Sequence, residues 1–218
     1  MDTFSRSWAD LRAAVAGLAV ADFARPSGCA GWLVRDLVCH LVIDAQDVLI
    51  TLVTPAAAER AVDAAGYWDL SDALPAGDDP LDALIPRLAA AYGEPHLLTF
   101  HLDDVGSAAG RAAALADPAA RVATQDKALT VADYLAAYVL EWTLHHLDLV
   151  AHLPAVPGPA PESLAAARAL LERVAGAAFP ASYTDTDALL IGTGRGTPTA
   201  EQAAALDAVA LKLPLVLG

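Results

Sequence analysis

Hydrophobic side chains recur at every third or fourth position near the start of the chain, the spacing of a helix that buries one face. The first apolar stripe consists of Phe4, Trp8, Leu11, Val15 and Leu18. A turn-rich stretch with proline and glycine follows at positions 25–31, and a second stripe begins near Leu33. Because the second stripe continues to Thr54 and stops before Pro55, the pattern predicts two long helices joined by a short loop.

The middle of the chain is less regular. Glycines and prolines interrupt positions 55–79, which predicts a loop with at most one short alanine-rich helix. Asp79 and Pro80 have the form of an N-cap followed by proline at the first helical position, and they predict a helix that Pro86 kinks or shortens. After it, the pattern predicts only one short helix, at about Ser107 to Leu115.

A further long helix is predicted from Thr130 and Asp133, which form a variant of the capping box. Its apolar stripe consists of Val131, Leu135, Tyr138, Trp142 and Leu149. We expect this helix to end at Leu153, because positions 154–161 contain four prolines. Such a proline run predicts a semi-rigid linker and marks the best candidate domain boundary in the chain.

The segment after the prolines predicts mixed structure. Positions 162–179 have a helical pattern, and Asp187 begins a short apolar run that enters a glycine-rich turn at 192–196, as a strand does. The turn lacks the ending and spacing of a phosphate-binding loop. Thr199 then caps a last helix that we expect to end near Pro214.

These elements predict a mainly all-α protein. Residues 1–153 are expected to form an antiparallel four-helix bundle, the default arrangement for long helices with these connections. Residues 154–161 are the proline-rich linker, and residues 162–218 are a short C-terminal α or α+β extension.

Composition and charge narrow the function classes. A length of 218 residues allows one substantial core. The net charge of −14 and the pI near 4.5 argue against nucleic acid and anionic membrane surfaces as partners. No apolar run approaches the roughly 18 residues that span a bilayer, the start lacks the features of a secretory signal, and two cysteines do not make a disulfide framework. We therefore expect a cytoplasmic protein; its alanine-rich, lysine-poor composition suggests a high-GC, actinobacterial-like source.

The candidate chemistry lies on two of the predicted helices. Glu141 and His145 are one turn apart, on or beside the apolar stripe of the long helix, and His40 interrupts the stripe of the second helix. A carboxylate in an apolar interior costs several kcal/mol or protonates unless it has a partner. A metal ion would be that partner, and two histidines with one glutamate would leave an open coordination position, as in catalytic metal sites.

Three motifs together resemble a known family. They are Ser27-Gly28-Cys29-Ala30-Gly31-Trp32, Val34-Arg35-Asp36-Leu37-Val38-Cys39-His40-Leu41 and Glu141-Trp142-Thr143-Leu144-His145-His146-Leu147-Asp148-Leu149. The chain from Phe4 to Leu153 resembles the mycothiol-dependent maleylpyruvate isomerase family, within the wider DinB/YfiT-like metal-dependent superfamily. The resemblance implies a DinB-like four-helix bundle with a divalent metal, usually zinc, held by His40, Glu141 and His145. Iron and nickel are alternatives for these donors.

The resemblance also implies a reaction. Family members bind a low-molecular-weight thiol such as mycothiol at the metal, and they conjugate it to an electrophile or use it to isomerise a double bond. We therefore expect a metal-dependent thiol S-transferase or a thiol-assisted cis-trans isomerase, with a small electrophile and a thiol as partners. Two alternatives stay open, namely a hydrolase or lyase that uses a metal-bound water, and a non-catalytic small-molecule binding or resistance protein.

Three further residues are candidates for supporting roles. Asp44 lies one turn after His40 and could orient it, as carboxylates orient many metal-bound histidines, or it could reach the cavity wall or solvent. Asp148 could contact polar groups of the thiol or be solvated. The maleylpyruvate isomerase of the family has a second domain that supplies an arginine; here only a short extension follows the linker, and Arg195 is its candidate for contacting a substrate anion.

The remaining histidines and cysteines have ordinary interpretations. We expect His146 at the surface or between helices, and Cys39 as a small buried hydrophobic residue. Cys29 lies in a loop expected near the cavity mouth. No other histidine has a partner at ligand spacing, which applies to His96, His101 and His152.

Overall fold

The computed structural model describes residues 2–56, 61–71, 80–206, 209 and 212–217, and all structural statements concern these residues. Within them the chain is mainly helical. The helices are α1 (Thr3–Ala16), α2 (Val34–Leu52), α3 (Pro80–Ala91), α4 (Pro95–Leu115), α5 (Val131–Val150), α6 (Pro161–Ala175), α7 (Asp185–Gly192) and α8 (Ala200–Ala205), with a 3₁₀ turn at Val20–Ala24. The strands are β1 (Leu70–Ser71), β2 (Arg121–Thr124), β3 (Lys127–Thr130) and β4 (Val216–Leu217), and they pair antiparallel as β1 with β4 and β2 with β3.

Helices α1, α2, α4 and α5 form the bundle. The Trp8 indole donates to the Gly106 carbonyl at 2.8 Å, and Arg12 bonds to Asp103, so α1 and α4 run in opposite directions. The starts of α2 and α4 line a common cavity, and Thr54, just after α2, accepts from the amide of Ala123, after α4, at 2.9 Å. Because α5 begins where α4 finishes, α1 and α5 run one way and α2 and α4 the other. The expected mainly α-helical bundle with a short extension is confirmed.

Aromatic side chains fill the centre of the bundle. Trp8 of α1 stacks on Trp142 of α5 with ring centroids 3.8 Å apart, and Phe4 packs beside Trp142. Gly106 allows the Trp8 ring to lie against α4, since a Cβ at that position would be 2.6 Å from Trp8 Cζ2. The i, i+4 spacing of Phe4 and Trp8 places both rings on the buried face of α1.

Helix α4 is much longer than the short helix predicted near Ser107. It begins with Pro95 at its first turn and runs for 21 residues. Its buried face consists mostly of small residues, including Gly106, Ala109 and Ala113, because α1 and α2 approach it closely. The first half of the helix, which the sequence pattern missed, has exposed Leu97 and Phe100 beside buried Leu98 and Leu102, so its apolar residues do not form a single stripe.

The predicted strand near Asp187 is also wrong. This segment is α7, which is capped by Thr184, whose hydroxyl accepts from the amide of Asp187. Leu189 and Ile191 are buried, and their short apolar run fits a buried helix as well as a strand. The turn after α7 is present, with Gly194 at a positive φ of 76°.

The predicted ends of the other helices agree with the structure only in part. Thr130 caps α5 through the amide of Asp133, as expected, although α5 ends at Val150. Helix α3 begins at Pro80 and continues through Pro86 to Ala91, so the expected shortening is not observed. Helix α8 is capped by Thr199 but ends at Ala205, well before the expected end. The predicted alanine-rich helix and the N-cap at position 79 lie largely or wholly outside the described residues.

The extension packs against the bundle. Leu140, Leu144 and Leu147 of α5 share a second apolar core with residues of α6 and α7. Arg168 of α6 holds the loop before α7, since its guanidinium donates to the carbonyls of Phe179 and Tyr183. This packing brings the α7–α8 turn to the C-terminal half of α5, beside the candidate site. No helix in the described part of the chain is long and apolar enough to cross a membrane.

Candidate metal centre

Two helices bring the three predicted ligands together. His40 projects from α2 and Glu141 and His145 from successive turns of α5. The Nε2 atoms of His40 and His145 are 3.1 Å apart. Glu141 Oε1 lies 3.0 Å from His145 Nε2 and 3.7 Å from His40 Nε2. Three electron-pair donors therefore face one point, from parts of the chain about 100 residues apart.

These separations fit a small divalent ion. In a tetrahedral zinc site with bonds of about 2.0–2.1 Å, neighbouring donor atoms are about 3.3 Å apart. The three observed distances, 3.0, 3.1 and 3.7 Å, bracket that value. Two imidazole nitrogens and a carboxylate oxygen are donors that zinc, iron(II) and nickel(II) accept. The residues present therefore fit the metal ion that the family resemblance implies.

Asp148 fixes the orientation of His145. The Nδ1 atom of His145 lies 3.2 Å from Asp148 Oδ2, so Nδ1–H donates to this carboxylate and the Nε2 lone pair is directed at the site. A carboxylate behind a histidine in this way is common in metal centres, because it sets the tautomer and raises the basicity of the ring.

Arg195 holds Asp148 in turn. Its Nε and Nη2 atoms donate to both carboxylate oxygens over 2.9–3.1 Å. Burial alone would raise the pKa of Asp148, but the hydrogen bond from His145 and the charge of Arg195 outweigh burial and lower it to about 2. Asp148 is therefore an anion that is paired on both sides, and the expectation of a solvated aspartate does not hold: its side chain is 2% exposed.

The field at the site is strongly negative. Burial would lower the pKa of His145, but the charge of Glu141 and the hydrogen bond to Asp148 raise it well above its ordinary value. Burial would raise the pKa of Glu141, but the charge of His145, its contact with Glu141 at 3.0 Å and the charge of His40 hold this pKa well below its usual range. The environment that favours a proton on His145 also favours a divalent cation at the same point.

A pocket of about 400 Å³ is lined by two of these residues, Glu141 and His145. One wall is the turn before α2, with Cys29 and Trp32, and another is the turn after α7, with Thr193 and Arg195. The extension therefore contributes directly to the site. Gly28 brings the first wall against α5, because its amide donates to the Asp148 carbonyl at 2.8 Å and a Cβ there would lie 2.8 Å from Asp148 Cα.

The structure places Cys29 nearer to the chemistry than the sequence indicated. Its Sγ is 3.3 Å from Asp148 Oδ2 and 3.8 Å from His145 Nδ1. Burial raises the pKa of the Cys29 thiol, although His145 opposes the shift, so the sulfur is a neutral wall of the pocket. Only the loop geometry reveals this contact, since Cys29 and His145 are 116 residues apart.

Asp44 lies at the donor side of His40. Its Oδ1 is 3.5 Å from His40 Nε2, and the four donor atoms of His40, Asp44, Glu141 and His145 all lie within 4.8 Å of one another. Burial and the charge of Glu141 raise the pKa of Asp44 to about 6, against the lowering effect of His40. Its position beside Nε2 differs from that of a carboxylate that orients the ring through Nδ1.

The remaining candidates lie away from the donors. His146 is buried, and its Nε2 contacts the Pro157 carbonyl at 3.0 Å, which ties α5 to the proline-rich segment. Cys39 is 3% exposed in the bundle core, as expected for a small hydrophobic residue. His101 pairs with the Tyr92 hydroxyl at 2.6 Å.

Comparisons with known proteins give one result. No curated protein and no solved structure matches the chain. The family model described as the mycothiol maleylpyruvate isomerase N-terminal domain matches residues 4–150. This range covers the four bundle helices except Thr3, and it includes His40, Glu141 and His145. The chain therefore belongs to the mycothiol maleylpyruvate isomerase N-terminal domain family.

Proposed function

We propose that the protein holds a divalent metal, with zinc preferred, through His40, Glu141 and His145, and that it activates a low-molecular-weight thiol of the mycothiol type. The activated thiol serves S-transfer to a small electrophile or thiol-assisted cis-trans isomerisation. The observation that carries this proposal is the convergence of three donor atoms, 3.0–3.7 Å apart, in a member of this family. Two of the three residues, Glu141 and His145, line an open pocket.

The protein's own residues prepare the site in three ways. Asp148 and Arg195 hold His145 so that its Nε2 lone pair faces the donors of the other two ligands. Glu141 contributes the negative charge that offsets a cation in a largely buried position. Trp32, whose ring centroid is 5.3 Å from that of His40, and Cys29 wall the site on one side, which limits access of water.

When bound, the metal ion supplies the Lewis acidity that keeps a thiol deprotonated near neutral pH. The thiolate then adds to an electrophilic carbon and forms a C–S bond. If a leaving group departs with its bonding electron pair, or if the carbanion formed by addition takes up a proton from solvent, the product is a stable conjugate. If the substrate is an activated double bond, its electron pair moves to the conjugated acceptor, the new single bond rotates, and loss of the thiolate restores the double bond as the other isomer.

Arg195 is the candidate contact for an anionic substrate. Two of its nitrogens are engaged with Asp148, while its side chain lines the pocket and is 24% exposed, which leaves one edge of the guanidinium for a ligand. A planar guanidinium with free N–H groups suits a carboxylate. We therefore expect Arg195→Met to raise the KM for an anionic substrate more than that for a neutral one.

The division into a bundle, a linker and an extension is part of the same proposal. Residues 1–153 hold the metal ligands, residues 154–161 are the linker, and residues 162–218 complete the pocket with Thr193 and Arg195. The second core that the extension shares with α5 supports this division of roles, because it fixes the α7–α8 turn relative to His145.

The test is turnover with a panel of small electrophiles, with and without thiol and with and without added metal. The proposal predicts activity only when thiol and metal are both present, loss of activity in Glu141→Ala, and retention in His152→Ala. Proton release on mixing thiol with metal-loaded protein should show a thiol pKa well below the roughly 8.5 of free cysteine. Full turnover without any thiol would favour the hydrolase alternative.

A further inference from the structure

Asp44 is a buried carboxylate that forms no hydrogen bond with the residues that the structure describes. Its side chain sits on α2 one turn after His40, and the residue is 5% exposed. Oδ1 lies 3.5 Å from His40 Nε2, beyond the usual 2.7–3.2 Å of an N–H···O bond. Oδ2 has no partner among the residues that the structure describes. Such a group costs several kcal/mol unless it is neutralised or gains a cation.

The role of Asp44 depends on which ring nitrogen of His40 it faces. A carboxylate that only orients a metal-bound histidine accepts a hydrogen bond from the ring nitrogen that does not bind metal, as Asp148 does from His145 Nδ1. Asp44 instead lies beside His40 Nε2, the nitrogen that also faces Glu141 and His145. It therefore stands among the donors and not behind them.

Four donors can surround one ion at these distances. No two of the donor atoms of His40, Asp44, Glu141 and His145 are more than 4.8 Å apart. In a six-coordinate ion with bonds of about 2.1 Å, neighbouring donors are about 3.0 Å apart and opposite donors about 4.2 Å. The 3.5 Å between Asp44 and His40 lies between these values, and the 4.8 Å limit exceeds the larger of them by 0.6 Å. A side-chain shift of less than about 1 Å would therefore bring Asp44 into the coordination sphere.

We propose that Asp44 is a fourth protein donor, so that the centre comprises two imidazoles and two carboxylates. The inference rests on the proposed metal site and deepens it. Two carboxylates balance the charge of a divalent ion in a buried site. Four protein donors leave room for a thiol only when the ion accepts five or six ligands, and a donor set with a second carboxylate is harder than the family's two histidines and one glutamate.

The experiment compares Asp44→Asn with Asp47→Asn, which removes the same charge from an exposed position on the same helix. Zinc affinity is measured by competition with a chromophoric chelator, and coordination number by the d–d absorption of the Co(II)-loaded protein. We expect Asp44→Asn to weaken zinc by about 100-fold or more, above the roughly 10–100-fold typical of groups that only support a ligand. Asp47→Asn should remain within about 3-fold of the unsubstituted protein.

The Co(II) spectrum shows whether Asp44 binds the ion or only lies near it. The unsubstituted protein should show the weak bands of five- or six-coordinate Co(II), and Asp44→Asn should show the stronger bands of a lower coordination number. Identical spectra of the two proteins would overturn the inference.

Two controls separate the proposal for Asp44 from the proposed metal site on which it rests. Metal-free Asp44→Asn should unfold at a temperature no lower than that of the unsubstituted protein, because it loses an uncompensated buried charge; a lower temperature would indicate a structural role and contradict the inference. If the unsubstituted protein binds zinc and Asp44→Asn binds it equally well, only the role of Asp44 fails. If the unsubstituted protein binds no metal, the proposed function fails as well.

Discussion

The paired charges of Asp148 and Arg195 offer a quantitative test of how the extension supports the site. Replacing Asp148 with Asn keeps the shape of the side chain but leaves the Arg195 guanidinium without its anion. Asp148 is 2% exposed and Arg195 is 24% exposed, so the arginine recovers only part of its hydration. Breaking a buried ion pair by removing one partner costs about 3–5 kcal/mol, and the partial exposure of Arg195 favours the lower end, about 3 kcal/mol.

This loss is large enough to measure by thermal unfolding. For a chain of this size about 1 kcal/mol corresponds to about 2–4 °C, so metal-free Asp148→Asn should unfold about 6–12 °C below the unsubstituted protein. The control is Asp63→Asn, which breaks an ion pair of similar length, 2.8 Å to Arg173, whose side chains are 57% and 52% exposed. Exposed pairs contribute about 0–1 kcal/mol, so this variant should differ by no more than about 4 °C.

A double variant tests the reason for the loss. Combining Asp148→Asn with Arg195→Met removes both charges, and the double variant should regain at least half of the lost stability because no uncompensated charge remains. Circular dichroism at the helical band, with metal removed by chelation, gives each midpoint. If Asp148→Asn unfolds within about 2 °C of the unsubstituted protein, or if the double variant is no more stable than the single one, the reasoning about this pair is refuted.

Three further predictions follow from two close glycine contacts and from the low pKa of Asp148. Gly106→Ala should destabilise the protein by about 1–3 kcal/mol in urea unfolding, because its Cβ would lie 2.6 Å from Trp8 Cζ2. Its control on the same helix is Gly110→Ala, whose Cβ would lie 3.8 Å from Trp8 Cδ1 and which should be neutral or stabilising. Gly28→Ala should reduce turnover, because its Cβ would displace the loop from Asp148; unchanged kcat and KM would contradict the close approach. The pKa of Asp148 lies below its ordinary value of 3.8, so its carboxylate stabilises the folded protein only while it is ionised. The difference in free energy of unfolding between the unsubstituted protein and Asp148→Asn should therefore be largest above about pH 5 and should decline as the pH falls towards 2. A difference that stays constant with pH would contradict the assignment.

Helical periodicity was sufficient to predict that the candidate ligands lie close together. His40, Glu141 and His145 each interrupt or border an apolar stripe, and buried faces of a bundle must meet, so their convergence follows from the pattern once the helices are placed. The packing of α1 against α5 is predictable for the same reason, since Phe4, Trp8 and Trp142 all lie on such stripes.

Contacts that depend on loops, and helices whose apolar residues lie on both faces, could not be predicted from the sequence pattern. The ion pair between Asp148 and Arg195 joins α5 to a turn 47 residues later, and nothing in local periodicity specifies how that turn folds back. The first half of α4 was not predicted because its apolar residues lie on both faces, with Leu98 and Leu102 buried and Leu97 and Phe100 exposed. The side of His40 that Asp44 faces depends on ring orientation, which i, i+4 spacing does not determine.

The metal content of the protein purified without added metal tests the central claim most directly. Elemental analysis of the unsubstituted protein, His145→Ala and His152→Ala after identical purification gives the number of divalent ions per chain. We expect close to one ion per chain in the unsubstituted protein and in His152→Ala, and none in His145→Ala. An unsubstituted protein that contains no metal and does not take up added zinc, or equal metal content in the two histidine variants, would contradict the metal centre and with it the proposed function.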